Sequence, residues 1–256
     1  MIEIAGLDFT YEVRHLDPTT SWTRRLLGGE YRAHHVIKGL DLEVTSPGIT
    51  ALLGKNGAGK TTLMKILSGI LTPTRGKVSV LGCEPAKRRN DFLRQIGVVF
   101  GQKRNLWPEL SFAENLDLTR AVYNVPAEQA RKRSLELIES FGLARLGGRP
   151  VKSFSLGEAM KAEIANTLFF EPRLLFLDEP TIGLDVSAQV VLREAIKSYV
   201  AGRECHIILT SHYMRDVVAL ADRVLFMENG RLTPIQSNGA GAAEFERHLE
   251  AALLGS

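Results

Sequence analysis

The residues that point most directly to chemistry are Gly54 to Thr61, which read GKNGAGKT and match the pattern G-x-x-x-x-G-K-[ST]. The apolar run ITALL precedes them and the run TTLMKILSGI follows, so the pattern joins a predicted strand to a predicted helix. Glycines let backbone N–H groups point inward around phosphates, the lysine reaches the β- and γ-phosphates, and the hydroxyl holds Mg²⁺. We therefore predict a phosphate-binding loop with Lys60 on the phosphates and Thr61 on the metal, completed by Lys55, Asn56, Gly57, Ala58, Gly59 and Thr62.

Two acidic residues end a second apolar run, RLLFLDEPT. A buried strand that ends in Asp178 would present its carboxylate to Mg²⁺. Glu179 follows at once and is predicted to point elsewhere, toward a water in line with the γ-phosphate. Phosphoryl transfer needs positioning and charge neutralisation more than covalent chemistry, so a metal-holding aspartate and a water-polarising glutamate are the expected parts. An ordinary helix-capping turn is the alternative interpretation of the pair.

Two more polar side chains follow predicted strands. His212 ends HIILTSH, and a histidine at the carboxyl edge of a parallel sheet lies at the ligand-binding rim, which favours a γ-phosphate contact over a structural role. Gln102 follows IGVVF and opens a mainly helical stretch. Its amide is a candidate for coordinating Mg²⁺ or orienting water.

The stretch SFSLGEAMKAEIA, residues 153–165, is a second helix start preceded by small residues. The first N–H groups of a helix have no intrahelical partner and attract anions. The chain therefore carries two phosphate-seeking helix starts about a hundred residues apart, and a function must account for both.

The composition is that of an ordinary globular protein, with 256 residues, 45% hydrophobic and 24% charged. A net charge of +3 is too modest to argue for a nucleic-acid partner. Cys83 and Cys205 lie far apart and beside no histidine cluster with metal spacing, so reduced cytosolic thiols are expected. The N-terminus does not read as a signal peptide, and no window approaches the roughly 18 to 20 apolar residues of a membrane span. Work at a membrane would need a spanning partner.

Strands alternating with helices predict an α/β fold with a parallel sheet covered on both faces. We expect one domain over residues 1–256, with an α/β core of about 1–102 and 166–235, a helical subdomain of about 103–165 and a short tail of 236–256. The stretch 14–30 interrupts the strand pattern, and a loop packing back on the domain is favoured there over a membrane-surface contact.

Together these residues resemble the ATPase domain of ABC transporters, from about residue 2 to residue 235. The family's motifs appear in family order, and six in order are strong evidence: the phosphate loop, the Q-loop at Gln102, the signature at FSLGE, the metal aspartate and catalytic glutamate at LDEP, the D-loop at IGLD and the switch histidine His212. The resemblance implies a P-loop NTPase with a RecA-like, mostly parallel core, an antiparallel β part and an inserted helical subdomain.

The resemblance also implies ATP and Mg²⁺ as cofactors and explains the second helix start. In this family two ATPase domains pair head to tail, and each signature caps the γ-phosphate on the partner's phosphate loop. Ser155 and the N–H of Gly157 would supply these contacts, and Asp185 would lie across the seam. The signature departs from the usual Leu-Ser-Gly-Gly-Gln at Leu156 and at Glu158, whose charge would weaken capping unless it points away.

Two binding surfaces follow from the same resemblance. An aromatic residue upstream of the phosphate loop stacks on adenine, and Tyr31 is favoured over Tyr11 by its spacing. The segment KRNLWPELSF would receive a short helix from the membrane subunit, in a groove lined by Leu106, Trp107 and Leu110. Burial of Trp107 in the helical subdomain is an equal alternative.

The leading functional expectation is an ATPase subunit that powers export through a separately encoded integral membrane permease. It would bind peripherally at the cytoplasmic side of the cell (inner) membrane, paired with a second copy or a homologue. The form of the signature and the phrase LLFLDEPTIGLDV are similar to ATPases of type-2 exporters. The alternatives are an import ATPase, and a soluble ABC ATPase in translation or DNA repair, which usually has two ATPase domains or a long coiled coil.

Overall fold

The computed structural model describes residues 1–15, 30–101, 104–235, 245–247 and 249. Gln102, most of the stretch 14–30 and most of the tail after residue 235 lie outside the described residues. The chain divides into two compact units. Unit 1 comprises Met1–Thr45, Gly54–Lys87 and Met227–Thr233, and unit 2 comprises Ser46–Leu53, Arg88–Phe226 and Pro234–Ser256.

Strands and helices alternate through most of the described chain. The strands are β1 (Ile2–His15), β2 (Glu30–Val44), β3 (Gly48–Leu53), β4 (Arg75–Val80), β5 (Ile96–Phe100), β6 (Leu174–Asp178), β7 (His206–Thr210), β8 (Arg223–Glu228) and β9 (Arg231–Ile235). The helices are α1 (Lys60–Leu67), α2 (Asn90–Leu93), α3 (Phe112–Tyr123), α4 (Ala127–Ser140), α5 (Leu156–Leu168), α6 (Val186–Val200) and α7 (Met214–Leu220).

Unit 1 is built on an antiparallel sheet with the strand order β2-β1-β4, and α1 lies against β4. The buried positions of β1 switch parity, from Ile2 and Ile4 to Leu7 and Phe9. A register shift between Ile4 and Leu7 accounts for this, with Gly6 at φ 57° in the interval. An extra residue in one strand moves every later side chain to the other face, so the bulge keeps the apolar residues on the core side.

The parallel sheet that the alternation of strands and helices predicts is formed mainly by strands of unit 2. The sheet has the order β5-β6-β7-β3-β8-β9, and the pairs β5·β6, β6·β7, β7·β3 and β3·β8 are all parallel. Every residue of β6 and β7 is buried. These strands are continuous apolar runs rather than alternating ones because both of their faces are covered.

The helices α3 to α6 belong to the same unit as β5, β6 and β7. α5 contacts β5, α3, α4 and α6, and its neighbourhood holds the largest apolar cluster of the described chain. Phe112, Phe141 and Phe169 are fully buried in that cluster. The stretch 104–168 is thus attached to the sheet mainly through α5, the helix that begins at the signature.

Two elements differ from the sequence-based expectation. The apolar pattern of the stretch YMRDVVALADRV predicts one helix, but α7 ends at Leu220 and β8 begins at Arg223. The reversal is stabilised by Asp222, whose N–H donates to Ile49 O at 2.8 Å and whose Oδ2 accepts from Ile49 N at 2.7 Å. The short strand β9 had no predicted counterpart, because its sequence RLTPI contains a proline that argues against a strand.

In the part of the chain that the structure describes, none of the helices combines the length and the apolar character that crossing a bilayer requires.

His206 is a buried histidine at the start of β7, with no exposed side-chain surface. Its Nδ1 lies 3.2 Å from Ser46 O, which can only accept, so Nδ1 carries the proton. Nε2 then accepts from the Thr50 hydroxyl at 3.2 Å, and Thr50 Oγ1 accepts from Arg223 at 3.3 Å. Burial, together with the positive charge of Arg223, lowers the pKa of His206 to about 4.

This depressed pKa predicts acid sensitivity of folding. Between about pH 6.5 and about pH 4 the unfolded chain binds a proton at His206 that the folded chain does not, so the free energy of unfolding contributed here falls as pH falls. His206→Gln keeps a donor and an acceptor but cannot titrate. Urea unfolding at several pH values should show a shallower pH slope for this variant, by up to about 1.4 kcal/mol per pH unit.

The exposed His34 on β2 provides the control, since His34→Gln should leave the slope of the wild-type chain unchanged. Equal slopes for wild type and His206→Gln would show that His206 is not the acid-sensitive group.

Candidate active site

The phosphate loop follows β3 directly and ends in the N-terminus of α1. Gly54 has φ 147°, and a Cβ there would collide with the backbone oxygen of Met227. Gly59, the N-cap, has φ 108°, and a Cβ there would lie 2.8 Å from Met227 Cε and 3.1 Å from Val36 Cγ1. Positive φ and close approach both exclude a side chain at these positions, which is why the loop needs glycine there.

Lys60 is the first residue of α1 and is 7% exposed. Its Nζ donates to Gly54 O at 2.6 Å and to Lys55 O at 3.1 Å, so the ammonium group is held over the loop that it closes. No acidic residue lies in the first turn of α1. The positive end of the helix dipole and the lysine charge therefore act together, and the loop is suited to bind a phosphate.

One aromatic side chain of unit 1 lies beside this helix start. The hydroxyl of Tyr11 is 3.4 Å from Oγ1 of Thr62, and its ring makes an edge contact with Phe9 at 4.8 Å between centroids. Tyr31 is a residue of β2 whose backbone pairs with Arg14, but its side chain lies outside the described residues. The assignment of Tyr31 as the adenine-stacking residue therefore stays a prediction.

The two predicted acidic residues lie at the carboxyl edge of the parallel sheet. Asp178 ends β6 and pairs with Thr210, which ends β7, and Thr210 precedes Ser211 and His212. Leu52 of β3 pairs with the same Thr210, and the chain passes from β3 into the phosphate loop. The motifs thus follow strands that end at one edge, where ligands bind in open α/β sheets.

Thr210 connects the two acids through its side chain. Its hydroxyl donates to Asp178 Oδ1 at 2.7 Å and accepts from the backbone N–H of Glu179 at 3.0 Å. Glu179 adopts φ 53°, a left-handed conformation that non-glycine residues rarely take. Such backbone strain concentrates at functional sites. As expected from sequence, the two neighbouring carboxylates face different partners.

Glu179 contacts the predicted switch histidine directly. Its Oε2 accepts from the backbone N–H of His212 at 3.1 Å, and its Oε1 lies 3.1 Å from His212 Nε2. The His212 side chain is 43% exposed and that of Glu179 is 16% exposed, so the pair is open to solvent on the histidine side. Sequence patterns had marked both residues for chemistry at a γ-phosphate, but not their contact.

The signature residues begin α5 with a reciprocal cap. Ser155 Oγ accepts from the N–H of Glu158 at 3.2 Å, and Glu158 Oε2 accepts from the N–H of Ser155 at 2.8 Å. The bond from the Ser155 N–H lowers the pKa of Glu158, with Arg149 contributing nearby. The carboxylate that replaces the family's glutamine is therefore turned back onto its own helix cap.

Gly157 and Asp185 are placed by neighbouring helices of unit 2. A Cβ at Gly157 would lie 3.1 Å from Ala188 Cβ, so α5 and α6 approach closely there. Asp185 is the N-cap of α6, where its Oδ1 accepts from the N–H of Ala188 at 2.8 Å. Asp185 thus has a local role as the cap of α6.

The structure brings three of the predicted site residues together in one unit, whereas others lie in the other unit or outside the described residues. Asp178, Glu179 and His212 share one cluster in unit 2, and the signature belongs to the same unit, whereas the phosphate loop belongs to unit 1. Gln102 lies outside the described residues. Sequence patterns did not single out Thr210, whose signal is only a polar residue at the end of an apolar strand.

Comparison with known proteins assigns the chain to a family. The model of the ABC transporter family matches residues 37–182. The chain is 36% identical over 202 residues to a daunorubicin resistance ATP-binding protein of Streptomyces coeruleorubidus, covering 79% of this chain and 63% of that protein. It is 31% identical over 196 residues to the ABC transporter ATP-binding protein NatA of Bacillus subtilis, covering 77% and 79%. The match thus spans slightly less than two thirds of the first of these relatives.

Solved structures confirm the α/β fold of a P-loop ATPase. An ATP-binding subunit of an ABC transporter superposes with a TM-score of 0.77 at 25% identity, covering 97% of this chain and 99% of that one. A dimeric ATP-binding cassette in a post-hydrolysis state with ADP and Pi superposes with a TM-score of 0.75, covering 92% and 99%. At 21% identity, this second likeness concerns the fold alone.

The two tyrosines give a direct test of the nucleotide site. Tyr31→Ala should weaken binding of Mg-ATP by about 5- to 100-fold, because one base–aromatic stacking contact contributes about 1–3 kcal/mol. Tyr11→Ala should have a smaller effect. Titration with a fluorescent ATP analogue measures both, and Lys60→Ala, which removes the predicted phosphate ligand, is the positive control. Normal binding by Tyr31→Ala with weak binding by Tyr11→Ala would move the adenine contact to Tyr11.

Proposed function

The chain belongs to the ABC transporter family, and from this we propose that it is an ATPase subunit that hydrolyses ATP to ADP and phosphate to power export through a membrane permease. The observation that carries the proposal is the Glu179–His212 contact beside Asp178 at the carboxyl edge of the sheet. A metal-ligating acid, an oriented general base and a phosphate loop are the parts that phosphoryl transfer to water requires.

The proposed roles follow the chemistry of each group. Lys60 and the loop N–H groups bind the β- and γ-phosphates, together with Lys55, Asn56, Gly57, Ala58, Gly59 and Thr62. Glu179 accepts a proton from the attacking water, and His212 holds that carboxylate and contacts the γ-phosphate. Tyr31 stacks on adenine, with Tyr11 the competing candidate because it touches Thr62.

Mg²⁺ fits the residues that the chain offers. The hydroxyl of Thr61, the carboxylate of Asp178 and the amide of Gln102 are oxygen donors of the kind Mg²⁺ prefers. Among the described residues no three His, Cys, Asp or Glu side chains form a metal-binding group. Proteins usually hold Mg²⁺ by one or two protein ligands together with phosphates of the substrate. Bound here, the ion would neutralise charge on the phosphates.

The second helix start is proposed to act in trans. In a head-to-tail dimer, Ser155 and Gly157 cap the γ-phosphate bound to the partner's phosphate loop, and Asp185 lies near the seam. The inward-turned Glu158 supports this, since its charge is already bonded to the N–H of Ser155. ATP then acts as a ligand that shifts the population toward the closed dimer, and hydrolysis releases it.

A permease contact is proposed at Trp107. Its indole is 63% exposed, whereas its neighbour Leu106 is 4% exposed. The segment is held in place, because Glu163 accepts from the N–H groups of Asn105 and Leu106, and Asn115 accepts from the N–H of Trp107 at 2.8 Å. A rigidly presented, exposed tryptophan is typical of a protein contact surface rather than of a core.

Export is proposed as the direction of transport, from the peripheral cytoplasmic side of the cell membrane. The names of relatives support it, since they include daunorubicin resistance, Nod factor export and lantibiotic transport proteins. An import subunit is the second candidate within the family. A soluble ATPase acting in translation or DNA repair is less favoured, because the net charge of +3 offers little for nucleic acid.

Glu179→Gln tests the hydrolytic assignment. Loss of the general base should lower kcat by about 100-fold or more while ATP binding remains, since general-base catalysis contributes about 10²- to 10⁴-fold. With Mg-ATP the variant should accumulate as a dimer in light-scattering chromatography. Glu194→Gln, an exposed change on α6, is the matched control and should behave as wild type. A strictly monomeric Glu179→Gln chain at saturating Mg-ATP would exclude the head-to-tail dimer.

The transport assignment is tested by isolating the full chain from gently solubilised native membranes. A polytopic membrane protein should accompany it and be identified by mass spectrometry, and Trp107→Ala should reduce its recovery. Val122→Ala truncates an exposed apolar residue at a different place, on α3, and should leave the recovery of the membrane protein unchanged. Recovery of ribosomes or DNA without a membrane protein would withdraw the transport proposal and leave the ATPase assignment standing.

A further inference from the structure

A buried carboxylate is bonded to the segment that follows Glu179 and to the segment that precedes His212. Asp216, in the first turn of α7, is fully buried. Its Oδ2 accepts hydrogen bonds from the hydroxyls of Thr181 and of Ser211, the latter at 2.9 Å. Its Oδ1 accepts from Arg193 Nη1 at 2.7 Å, and that arginine side chain is only 14% exposed. One carboxylate therefore joins side chains that lie 5, 23 and 35 positions away in the sequence.

Burial of the Asp216 carboxylate and the Arg193 guanidinium costs free energy unless all of their hydrogen bonds are made. Taking a carboxylate and a guanidinium out of water carries a desolvation penalty of several kcal/mol per ion, which is recovered only with good geometry and additional hydrogen bonds. Here both carboxylate oxygens are bonded, and the negative charge lies at the N-terminus of α7, where the helix dipole favours it. Buried pairs of this kind contribute little net stability, whereas the loss of one partner leaves an uncompensated buried charge.

The donors that Asp216 holds are the neighbours of the catalytic side chains. Thr181 lies two residues after Glu179, and Ser211 immediately precedes His212. The Ser211 hydroxyl also accepts from the N–H of Tyr213 at 3.0 Å, so the backbone on both sides of His212 is tied to the same group. Movement of either segment by a fraction of an ångström would change the 3.1 Å contacts between Glu179 and His212.

We propose that Asp216 is a positioning residue for hydrolysis, which sets the geometry of Glu179 and His212 by clamping Thr181 and Ser211 against Arg193. The inference rests on the proposed function of Glu179 and His212 in ATP hydrolysis. Asp216 touches neither substrate nor reacting atoms. Its effect must therefore appear in the rate of the chemical step and not in the affinity for ATP.

The test compares Asp216→Asn with wild type in the full chain. The amide is similar in shape but has no charge for Arg193 and cannot accept on both sides. We expect kcat to fall by about 10- to 100-fold, since small misplacements of catalytic groups cost up to about 100-fold. The KM and the dissociation constant for Mg-ATP should change by less than about threefold, because the phosphate loop is unaltered.

A double-mutant cycle separates positioning from a general loss of structure. In a background that carries both Glu179→Ala and His212→Ala, Asp216→Asn should lower the residual single-turnover rate by less than about twofold, because both side chains whose geometry it sets are absent. Asp222→Asn is the matched control. It makes the same chemical change on a hydrogen-bonded aspartate beside Ile49, at the amino edge of the sheet, and should leave kcat unchanged.

The milder variants Thr181→Val and Ser211→Ala remove one donor each and keep the test possible if Asp216→Asn does not fold. Each should lower kcat severalfold without changing ATP affinity. Wild-type kcat in Asp216→Asn, or in both milder variants, would overturn the inference, as would an undiminished effect in the background that lacks both Glu179 and His212. If Glu179→Gln hydrolyses ATP like wild type, the proposed function itself fails and this inference fails with it.

Discussion

The register of three adjacent parallel strands is the constraint on which the candidate site depends. Thr210 pairs with Leu52 on one side and with Asp178 on the other, so β3, β7 and β6 end in one layer. A slip of one residue in β6 would carry Asp178 to the opposite face of the sheet. The register is secure because β6 and β7 are buried on both faces and a slip would break their packing on each side.

The layer of polar groups at this edge follows from that register. Once Thr210 lies beside Asp178, its hydroxyl can serve the carboxylate and the next backbone N–H at the same time. The left-handed backbone of Glu179 then separates two carboxylates that are adjacent in sequence. Two acids with different partners can take different roles, one toward a metal and one toward water.

The signature departs from the family pattern at Glu158, yet the glutamate still satisfies the local rule for capping a helix. Ser155 and Glu158 form the same reciprocal cap that Ser111 and Glu114 form at the start of α3. The glutamate is thus an ordinary N3 residue of a capping box, with its charge placed where the helix dipole favours it. The helix start that the proposed dimer requires is preserved although the residue type has changed.

Much of the fold was open to prediction because it depends on local signals. The strand IGVVF has the predicted bounds, since an apolar run is read from neighbouring residues. The strand β9 was missed, since its short proline-containing sequence resembles a loop. The phosphate loop and the acid pair could likewise be named from residue types and their order, because that chemistry demands particular side chains at fixed spacing.

Only the tertiary structure decided which side chains meet. Glu179 and His212 are separated by 33 positions, and Thr181 and Asp216 by 35. Such contacts arise from strand order and helix packing, neither of which the residues report locally. The sequence by itself therefore determined the chemistry that is available, and the fold decided its geometry, because long-range hydrogen bonds depend on how distant segments are packed together.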